Sequence, residues 1–251
     1  MKKEINLCEE QINALNQLQS GENVFLTGQA GAGKSFLIRE FIKDIGLKEM
    51  PILASTGAAA VIVGGRTFHS FFGLGVLEGG VERAKERAFK DGKLRKRIRD
   101  VQGIIIDEIS MISGEVLNLA EEIARHHRNN NHPFGGLRVI AIGDFAQLPP
   151  VTKTSFRDWC FKHPVWNQIQ FQTAFLKNNH RSDDSDFLKV LNYVRQGSFN
   201  QTVGDFLNSK TKSHDEKASG VRLFPYRQQS EDYNQLQLSK IKSDEIIIPT
   251  I

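Results

Sequence analysis

Short runs of branched apolar residues recur along the chain, and the segments between them carry apolar residues every three or four positions. The first pattern predicts strands that are buried on both faces, and the second predicts amphipathic helices. The strand runs lie at residues 24–26, 51–54, 104–106 and 137–142. A helix that begins at Ser35 separates the first two, so the chain opens with a βαβ unit. The predicted fold class is α/β, with a mostly parallel sheet flanked by helices.

Composition narrows the class of protein. The chain has 251 residues, of which 39% are hydrophobic and 25% charged, so it is long and mixed enough to bury a sizeable core. A net charge of +4 permits a polyanionic partner without requiring one. Cys8 and Cys160 are far apart, which argues against a disulfide framework or a zinc site. No apolar run is long enough to span a bilayer, so we expect a soluble intracellular protein with no membrane partner.

The loop after the first strand has the pattern of a phosphate-binding loop, Gly28-Gln29-Ala30-Gly31-Ala32-Gly33-Lys34-Ser35. Its glycines let backbone N–H groups surround a phosphate, and the helix that follows adds its positive dipole end. Lys34 would contact the β and γ phosphates, and the Ser35 hydroxyl would hold Mg²⁺. The predicted nucleotide-binding residues in this segment are Gly28, Ala30, Gly31, Ala32, Gly33, Lys34, Ser35 and Phe36.

A helix is also predicted ahead of the first strand. Asn6 followed by Glu9 is typical of a helix N-terminus. The apolar face of this helix would consist of Ile12, Leu15 and Leu18. Gln11 lies one position before that face, just upstream of the phosphate loop. Residue type alone favours an exposed glutamine, and the alternative is an amide that pairs with an adenine edge.

Two later strands deliver polar side chains to the edge where the phosphate loop lies, because ligands bind outside the carboxyl ends of parallel strands. Asp107 and Glu108 follow the strand at 104–106. Asp107 would hold Mg²⁺, directly or through water, and Glu108 would accept a proton from the attacking water. Gln147 follows the strand at 137–142, and its amide would sense the γ-phosphate.

A second ligand site is predicted at the end of the strand at 51–54. Hydroxyls, backbone N–H groups, cationic side chains and aromatic rings lie in or just after this segment, a combination typical of grooves that bind single-stranded nucleic acid. The residues concerned are Ser55, Thr56, Gly57, Arg66, Thr67, His69 and Phe71. The alternative is that the aromatic residues fill the core and that the histidine forms hydrogen bonds within the protein.

Two other segments are charged or rich in histidine. Residues 75–100 are strongly basic with little apolar periodicity, and they predict an insertion that projects from the sheet. Such a run either follows a nucleic-acid backbone or is only a solvated face. His126, His127 and His132 lack the carboxylate or cysteine partners of a metal site, so they predict a solvated helix end.

Several motifs together resemble a known family. The loop Gly28 to Ser35, the segment Asp107-Glu108-Ile109-Ser110-Met111, and Pro133-Phe134-Gly135-Gly136 leading to Gly143-Asp144-Phe145 are similar to those of the petite-integration-frequency helicases of superfamily one, group B. The resemblance runs from about Leu7 to Val203 in register. It implies a RecA-like ATPase core that moves 5′ to 3′ along single-stranded DNA and unwinds duplexes and folded structures such as G-quadruplexes.

The resemblance also implies roles for individual residues. Gln11 matches the family's adenine-reading glutamine, and Thr56, Thr67 and His69 match positions at its single-strand groove. Arg181 matches the arginine that contacts the γ-phosphate and offsets charge in the transition state. Arg181 lies in the segment Asn179-His180-Arg181-Ser182, which is similar to the family's Asn-x-Arg-Gln motif, with Ser182 in place of the usual glutamine. The implied catalytic set is Lys34, Asp107, Glu108, Gln147 and Arg181, with ATP and Mg²⁺ bound and Ser35 and Asp107 as metal ligands.

The same resemblance divides the chain. Residues 1–74 and 101–208 would form the RecA-like ATPase domain, 75–100 a wedge subdomain, 209–220 a linker, and 221–251 the start of a truncated second RecA-like domain. We therefore expect a monomeric chain that binds nucleotide, single-stranded DNA and duplex or G-quadruplex junctions but does not unwind alone. The alternative function is a naturally short, nucleotide-gated DNA-binding module that never translocates.

Overall fold

A computed structural model describes residues 7–75, 77, 79–151, 157–211 and 220–241. The chain forms two compact units, Met1–Gly197 and Ser198–Ile251. Every residue of the predicted nucleotide and DNA sites belongs to the first unit. The domain limits inferred from the family resemblance stay predictions.

The first unit is built on a six-stranded sheet in which every pairing is parallel. The strands are β1 (Val24–Gly28), β2 (Ile52–Ala54), β3 (Arg66–Thr67), β4 (Gly103–Ile106), β5 (Arg138–Gly143) and β6 (Gln172–Leu176). Their order is β3-β2-β4-β5-β1-β6. Every residue of β1, β2 and β4 is buried, as expected for central parallel strands covered on both faces. The predicted α/β fold class is confirmed.

Helices cover both faces of this sheet. Those of the first unit are α1 (Glu9–Gln19), α2 (Lys34–Ile45), α3 (Gly57–Val63), α4 (Phe68–Phe71), α5 (Val81–Lys90), α6 (Gly92–Arg99), α7 (Gly114–Arg128), α8 (Pro164–Ile169) and α9 (Ser185–Arg195). Short 3₁₀ turns lie at Ile109–Met111, Pro133–Gly136 and Cys160–Lys162. Alternate residues of each strand face opposite layers, so Ile104 and Ile106 join one core and Ile105 joins the other.

The N-terminal helix is rotated relative to the prediction. Cys8 is its N-cap residue, and the predicted cap Asn6 lies outside the described residues. The buried residues of the helix are Gln11, Ala14 and Leu18. Ile12 is 46% exposed, so its assignment to the apolar face was wrong. The small side chain of Ala14 lets the helix approach the core closely, and Gln11 takes the inward position instead.

The basic segment also differs from the prediction. It forms α5 and α6, whose inner residues Ala84, Ala88, Leu94 and Ile98 are fully buried in the core that also contains residues of α7. The segment therefore packs against the domain, and the inference that it has little apolar surface to bury was wrong. Its role as a wedge stays a prediction.

The helix end at His127 is not solvated as predicted. His127 is buried, and its Nε2 lies 2.9 Å from the carbonyl oxygen of Ala88 on α5. Burial lowers the pKa of this imidazole, although the hydrogen bond to Ala88 opposes the shift. The neighbouring His126 stacks on Phe89 with ring centroids 3.9 Å apart. Both histidines thus fasten α7 to α5.

The second unit contains α10 (Gln201–Lys210) and α11 (Arg227–Leu238). Helix α10 continues into the segment predicted as a linker, most of which, residues 212–219, lies outside the described residues. Residues 221–226 lie in the segment predicted to begin a second RecA-like domain. In the described part of this unit they form no strand, and Val221 and Leu223 are almost fully exposed.

Candidate functional site

The phosphate-loop sequence forms the connection between β1 and α2. Gly33 has a φ of 91° and immediately precedes α2, which begins at Lys34. Gly28 has a φ of 150°, and a Cβ atom there would lie 2.3 Å from the carbonyl oxygen of Leu176 on β6. A Cβ atom on Gly31 would lie 2.7 Å from the Cβ of Arg181. These glycines are required both by backbone conformation and by the close approach of neighbouring chain.

A cleft of about 430 Å³ opens over this loop. Of the predicted nucleotide-binding and catalytic residues, those that line it are Ala30, Gly31, Ala32, Gly33, Lys34, Ser35, Phe36, Glu108, Gln147 and Arg181. Gly28, Gln11 and Asp107 do not line this cleft, although the carbonyl oxygen of Gly28 accepts a hydrogen bond from Lys34 Nζ at 2.7 Å. Side chains from distant parts of the sequence therefore meet at one opening.

The Lys34 ammonium group is held by the loop itself. Its Nζ donates to the carbonyl oxygens of Gly28 at 2.7 Å and Gln29 at 3.1 Å. Burial lowers the pKa of this lysine, while the carboxylates of Asp144 and Glu108 act in the opposite direction. The charge is thus partly desolvated, which strengthens its attraction for a bound anion.

The acidic pair follows β4 as predicted. Glu108 has a left-handed backbone conformation with a φ of 53°, and its N–H donates to Asp107 Oδ1 at 3.0 Å. Burial raises the pKa of both carboxyl groups, and the negative charge of Asp107 raises that of Glu108 further. A carboxylate with a raised pKa is a stronger proton acceptor than an ordinary glutamate.

The oxygen ligands expected for a metal ion also come together. Ser35, Asp107 and Glu108 line a neighbouring cavity of about 290 Å³. A hydroxyl and carboxylates are the hard oxygen donors that suit Mg²⁺. Elsewhere in the described ranges, one group of three side chains could hold a metal ion: Cys8, Glu10 and His180.

A segment after β6 crosses the phosphate loop and brings Arg181 to the cleft. The Asn179 side chain donates to the carbonyl oxygen of Ala30 at 2.6 Å, and the N–H of His180 donates to that of Gly31 at 2.9 Å. Asn179 Oδ1 also accepts the N–H of Arg181 at 2.8 Å. The role of Asn179 as the tie between arginine and loop was missed from sequence, where only its motif was noticed.

The departure at Ser182 does not disturb this arrangement. Its N–H also donates to Asn179 Oδ1, at 3.2 Å, and its hydroxyl accepts the N–H of Asp184 at 3.2 Å. Glu10 on α1 accepts the backbone N–H groups of Lys177 and Asn178, at 3.1 and 2.9 Å. Helix α1, the segment after β6 and the phosphate loop are therefore tied to one another.

Gln11 lies against the phosphate loop. Its Oε1 accepts the backbone N–H of Cys8 at 3.1 Å, and its Nε2 lies 2.8 Å from the point where a Cβ on Gly33 would be. The side chain is buried, which excludes the exposed helix glutamine that residue type alone favoured. Its pairing with adenine stays a prediction.

A buried aspartate beside Gln147 was missed from sequence as a site residue. Asp144 follows β5, is 2% exposed, and accepts hydrogen bonds from Gln147 Nε2 at 3.1 Å and from the N–H of Ala146 at 3.0 Å. It also forms an ion pair with Arg195. A signal was available in the sequence, because Asp144 occupies the same position after its strand as Asp107 does after β4.

The residues predicted to bind DNA lie on the adjoining part of the sheet. Ser55 directly follows β2 and Arg66 begins β3, and these two strands pair with each other. Thr56 accepts the N–H of Ala59 at 3.2 Å, and Thr67 accepts that of Ser70 at 3.1 Å. Both threonines therefore cap helices, and Gly57 begins the helix capped by Thr56. Their contacts with DNA stay predictions.

The aromatic part of that prediction needs correction. Phe71 is only 2% exposed and packs edge to face on Phe72 in the core, so its ring has no free face for a base. The core alternative was right for this residue. His69 is half-buried, and burial lowers its pKa, so at neutral pH it would act as a neutral hydrogen-bonding group rather than as a cation.

No helix within the described ranges has both the length and the apolar composition needed to cross a membrane.

Comparison with known sequences gives a consistent result. The sequence profile of PIF1-like helicases matches residues 4–217. An ATP-dependent DNA helicase Pif1 of Bdellovibrio bacteriovorus is 55% identical over 99% of this chain and 56% of its own length. An ATP-dependent DNA helicase PIF1 of Xenopus laevis is 36% identical over 97% of this chain and 39% of its own. The chain spans about half the length, or less, of these relatives.

Solved structures agree with the sequence comparison. The crystal structure of Pif1 helicase from Candida albicans has a TM-score of 0.84 at 38% identity, covering 96% of this chain and 56% of that one. The structure of Pif1 from Bacteroides with ADP-AlF3 and single-stranded DNA has a TM-score of 0.80 at 27% identity, covering 96% and 59%. With a RecA-like sheet, a phosphate loop and a family profile that spans most of its length, this chain belongs to the PIF1-like helicases.

Proposed function

We propose that this chain supplies the ATP-binding and single-stranded-DNA-binding part of an ATP-dependent DNA helicase that moves 5′ to 3′. One observation carries the proposal: the phosphate loop, Glu108, Gln147 and Arg181 line a single cleft. The names of its relatives support the same activity, and a structural neighbour holds both ADP-AlF3 and single-stranded DNA.

In the proposed reaction the protein mainly positions and stabilises charge, as in other phosphoryl transfers. Backbone N–H groups of residues 30–35 and the Lys34 ammonium bind the phosphates of ATP, and Gln11 reads the adenine. Glu108 accepts a proton from the attacking water, and Arg181 offsets the charge that builds up on the γ-phosphate. Bound by Ser35 and Asp107, Mg²⁺ would neutralise further phosphate charge.

The proposed DNA surface adjoins this cleft. Thr56 and Arg66 are exposed, and Ser55, Thr67 and His69 are partly exposed, at the ends of neighbouring strands. Hydroxyls, backbone N–H groups and a guanidinium suit phosphate contacts, which are independent of sequence. The proposed substrates are single strands and their junctions with duplexes or G-quadruplexes, bound by a monomer. Because the chain spans about half of its relatives, we expect it to hydrolyse ATP slowly and not to unwind DNA alone.

The test is ATP hydrolysis by the 251-residue chain with and without single-stranded DNA. We expect Lys34→Ala to abolish nucleotide binding, and Glu108→Gln to keep binding while lowering kcat by roughly 10²-fold or more. Lys43→Ala is the matched control, because this lysine lies on the same helix but is exposed and pairs with Glu40. Equal hydrolysis by the original chain and Lys34→Ala would remove the catalytic assignment.

A further inference from the structure

A buried carboxylate joins three groups at the side of the cleft. Asp144 lies directly after β5, and its two oxygen atoms have different partners. Oδ1 accepts the backbone N–H of Ala146 at 3.0 Å. Oδ2 accepts the amide Nε2 of Gln147 at 3.1 Å and also contacts the guanidinium of Arg195. All of these residues belong to the first unit.

The contact with Asp144 determines the orientation of the Gln147 amide. An ionised carboxylate only accepts hydrogen bonds, so it pairs with the NH₂ end of the amide and repels the carbonyl end. One N–H is then occupied by Asp144. The other N–H and the carbonyl oxygen remain for a phosphate oxygen and a water molecule in the cleft that Gln147 lines.

Arg195 makes this arrangement possible. A buried carboxylate without a counter-charge is strongly destabilising, and the guanidinium supplies that charge. Burial alone would raise the pKa of Asp144, but the hydrogen bonds from Arg195, Ala146 and Gln147 lower it below its usual value. Asp144 is therefore ionised at neutral pH. Arg195 is the last residue of α9, so the pair also connects the cleft to that helix.

We propose that Asp144 is a positioning residue for ATP recognition, which orients the Gln147 amide toward the γ-phosphate while Arg195 holds the carboxylate in place. The inference rests on the proposed function, because it assumes that a triphosphate occupies the cleft. It adds a connection from the γ-phosphate through Gln147, Asp144 and Arg195 to α9, the final helix of the first unit. ADP lacks the γ-phosphate, so its binding does not depend on this connection.

The experiment measures binding of fluorescent ADP and of a fluorescent, non-hydrolysable ATP analogue to the 251-residue chain at fixed Mg²⁺. The ratio of the two Kd values reports recognition of the γ-phosphate. We expect Gln147→Ala and Asp144→Asn each to lower the preference for the analogue about tenfold, as for loss of one hydrogen bond to a charged group. ADP is the reference because effects on both nucleotides, such as removal of the Asp144 charge that acts on Lys34, change both Kd values. Asparagine keeps the shape of Asp144 but has one acceptor oxygen for two sets of donors.

The double variant distinguishes positioning from an independent contact. If Asp144 acts through Gln147, Asp144→Asn in the Gln147→Ala background changes the ratio less than about twofold. Multiplication of the two single effects, or an unchanged ratio in Asp144→Asn, would overturn the inference. If Lys34→Ala binds both nucleotides as the original chain does, the proposed function itself fails. The Lys34→Ala variant therefore distinguishes failure of the proposed function from failure of the inference about Asp144.

A second pair of variants covers the case in which Asp144→Asn does not fold. Arg195→Lys keeps the positive charge but loses the planar fork, so we expect it to lower the ratio while ADP still binds. The matched control is Arg125→Lys, because Arg125 also pairs with a buried carboxylate, that of Glu121, away from the cleft. A ratio that falls equally in both variants, or in neither, would contradict the role of Arg195.

Discussion

At the scale of single residues, the cleft depends on close approaches that only certain side chains permit. Gly33 and Gly64 both have the left-handed α conformation, with φ of 91° and 65°, which side chains rarely adopt, but their surroundings differ. A Cβ on Gly33 would lie 2.8 Å from Gln11 Nε2, whereas nothing lies within 4 Å of one on Gly64. The two glycines thus separate backbone strain from the contact that keeps Gln11 beside the phosphate loop.

We expect Gly33→Ala and Gly64→Ala to lower the free energy of unfolding by similar amounts, about 1–2 kcal/mol, because both force alanine into the left-handed α conformation. Only Gly33→Ala displaces Gln11, so only it should weaken nucleotide binding. Urea denaturation and titration with fluorescent ADP measure the two effects. Equal nucleotide affinity in both variants would show that the contact with Gln11 does not matter for binding.

A second residue-scale effect concerns His127, whose pKa is lowered by burial from the usual 6.5. The unfolded chain binds a proton at this histidine below about pH 6.5, whereas the folded chain resists it. The stability that the neutral histidine contributes is therefore present above pH 6.5 and is lost as the pH falls through that value toward the lowered folded-state pKa.

We expect His127→Gln to reduce the loss of unfolding free energy between about pH 7.5 and pH 5.5 relative to the original chain. Glutamine keeps an N–H donor for the carbonyl of Ala88 and does not titrate. The control is His132→Gln, which alters an exposed side chain on the loop after α7. A pH dependence that is the same in the original chain and His127→Gln would contradict this account.

At the scale of elements, the basic helices show that cationic side chains also support the fold. Arg97 on α6 donates to the carbonyl oxygens of Ser70 and Phe71, at 3.0 and 2.8 Å, where α4 ends. Burial lowers the pKa of its guanidinium. Arg87 on α5 donates to the carbonyl oxygen of Leu74 at 3.0 Å. These arginines fasten the basic segment to the residues that follow β3.

We expect Arg97→Met to destabilise the fold by about 1–3 kcal/mol, because two carbonyl oxygens lose a charged donor. Arg95→Met changes an exposed side chain two residues away on the same helix and should alter stability by no more than about 0.5 kcal/mol. Urea denaturation at constant ionic strength measures both. If the two variants were equally stable, Arg97 would be only part of a solvated face.

Elements were predictable from sequence where their pattern was strong. The runs that form β1, β2, β4 and β5 are apolar and central, and the loop before α2 has a specific motif. Strand β3 is two residues long and begins with an exposed arginine, so it has no apolar pattern to detect. The buried residues of α5 are alanines. Alanine is only weakly hydrophobic, so a search for apolar periodicity does not detect this face among the long basic side chains. Helix α1 shows the same effect, because Ala14 faces inward and Ile12 does not.

At the scale of the whole molecule, the site depended on relations that sequence patterns do not contain. The motifs predicted that Lys34, Glu108 and Gln147 would meet at one edge of the sheet, and they do. The hydrogen bonds made by Glu10 and Asn179 join residues that are distant in sequence, and the spacing of residues along the sequence does not predict such contacts. Asp144 was overlooked for a related reason, because its ion-pair partner, Arg195, lies much later in the sequence, at the end of α9.

The position of β1 between β5 and β6 has a consequence for synthesis of the chain. This strand carries the phosphate loop, yet both of its neighbours are made much later. At ordinary rates of translation, β1 waits roughly 5 to 20 s before β5 has emerged from the ribosome. During that time its apolar residues are without their sheet partners and exposed to aggregation. The cleft over the phosphate loop is complete only after the segment that holds Arg181, one of its lining residues, has emerged.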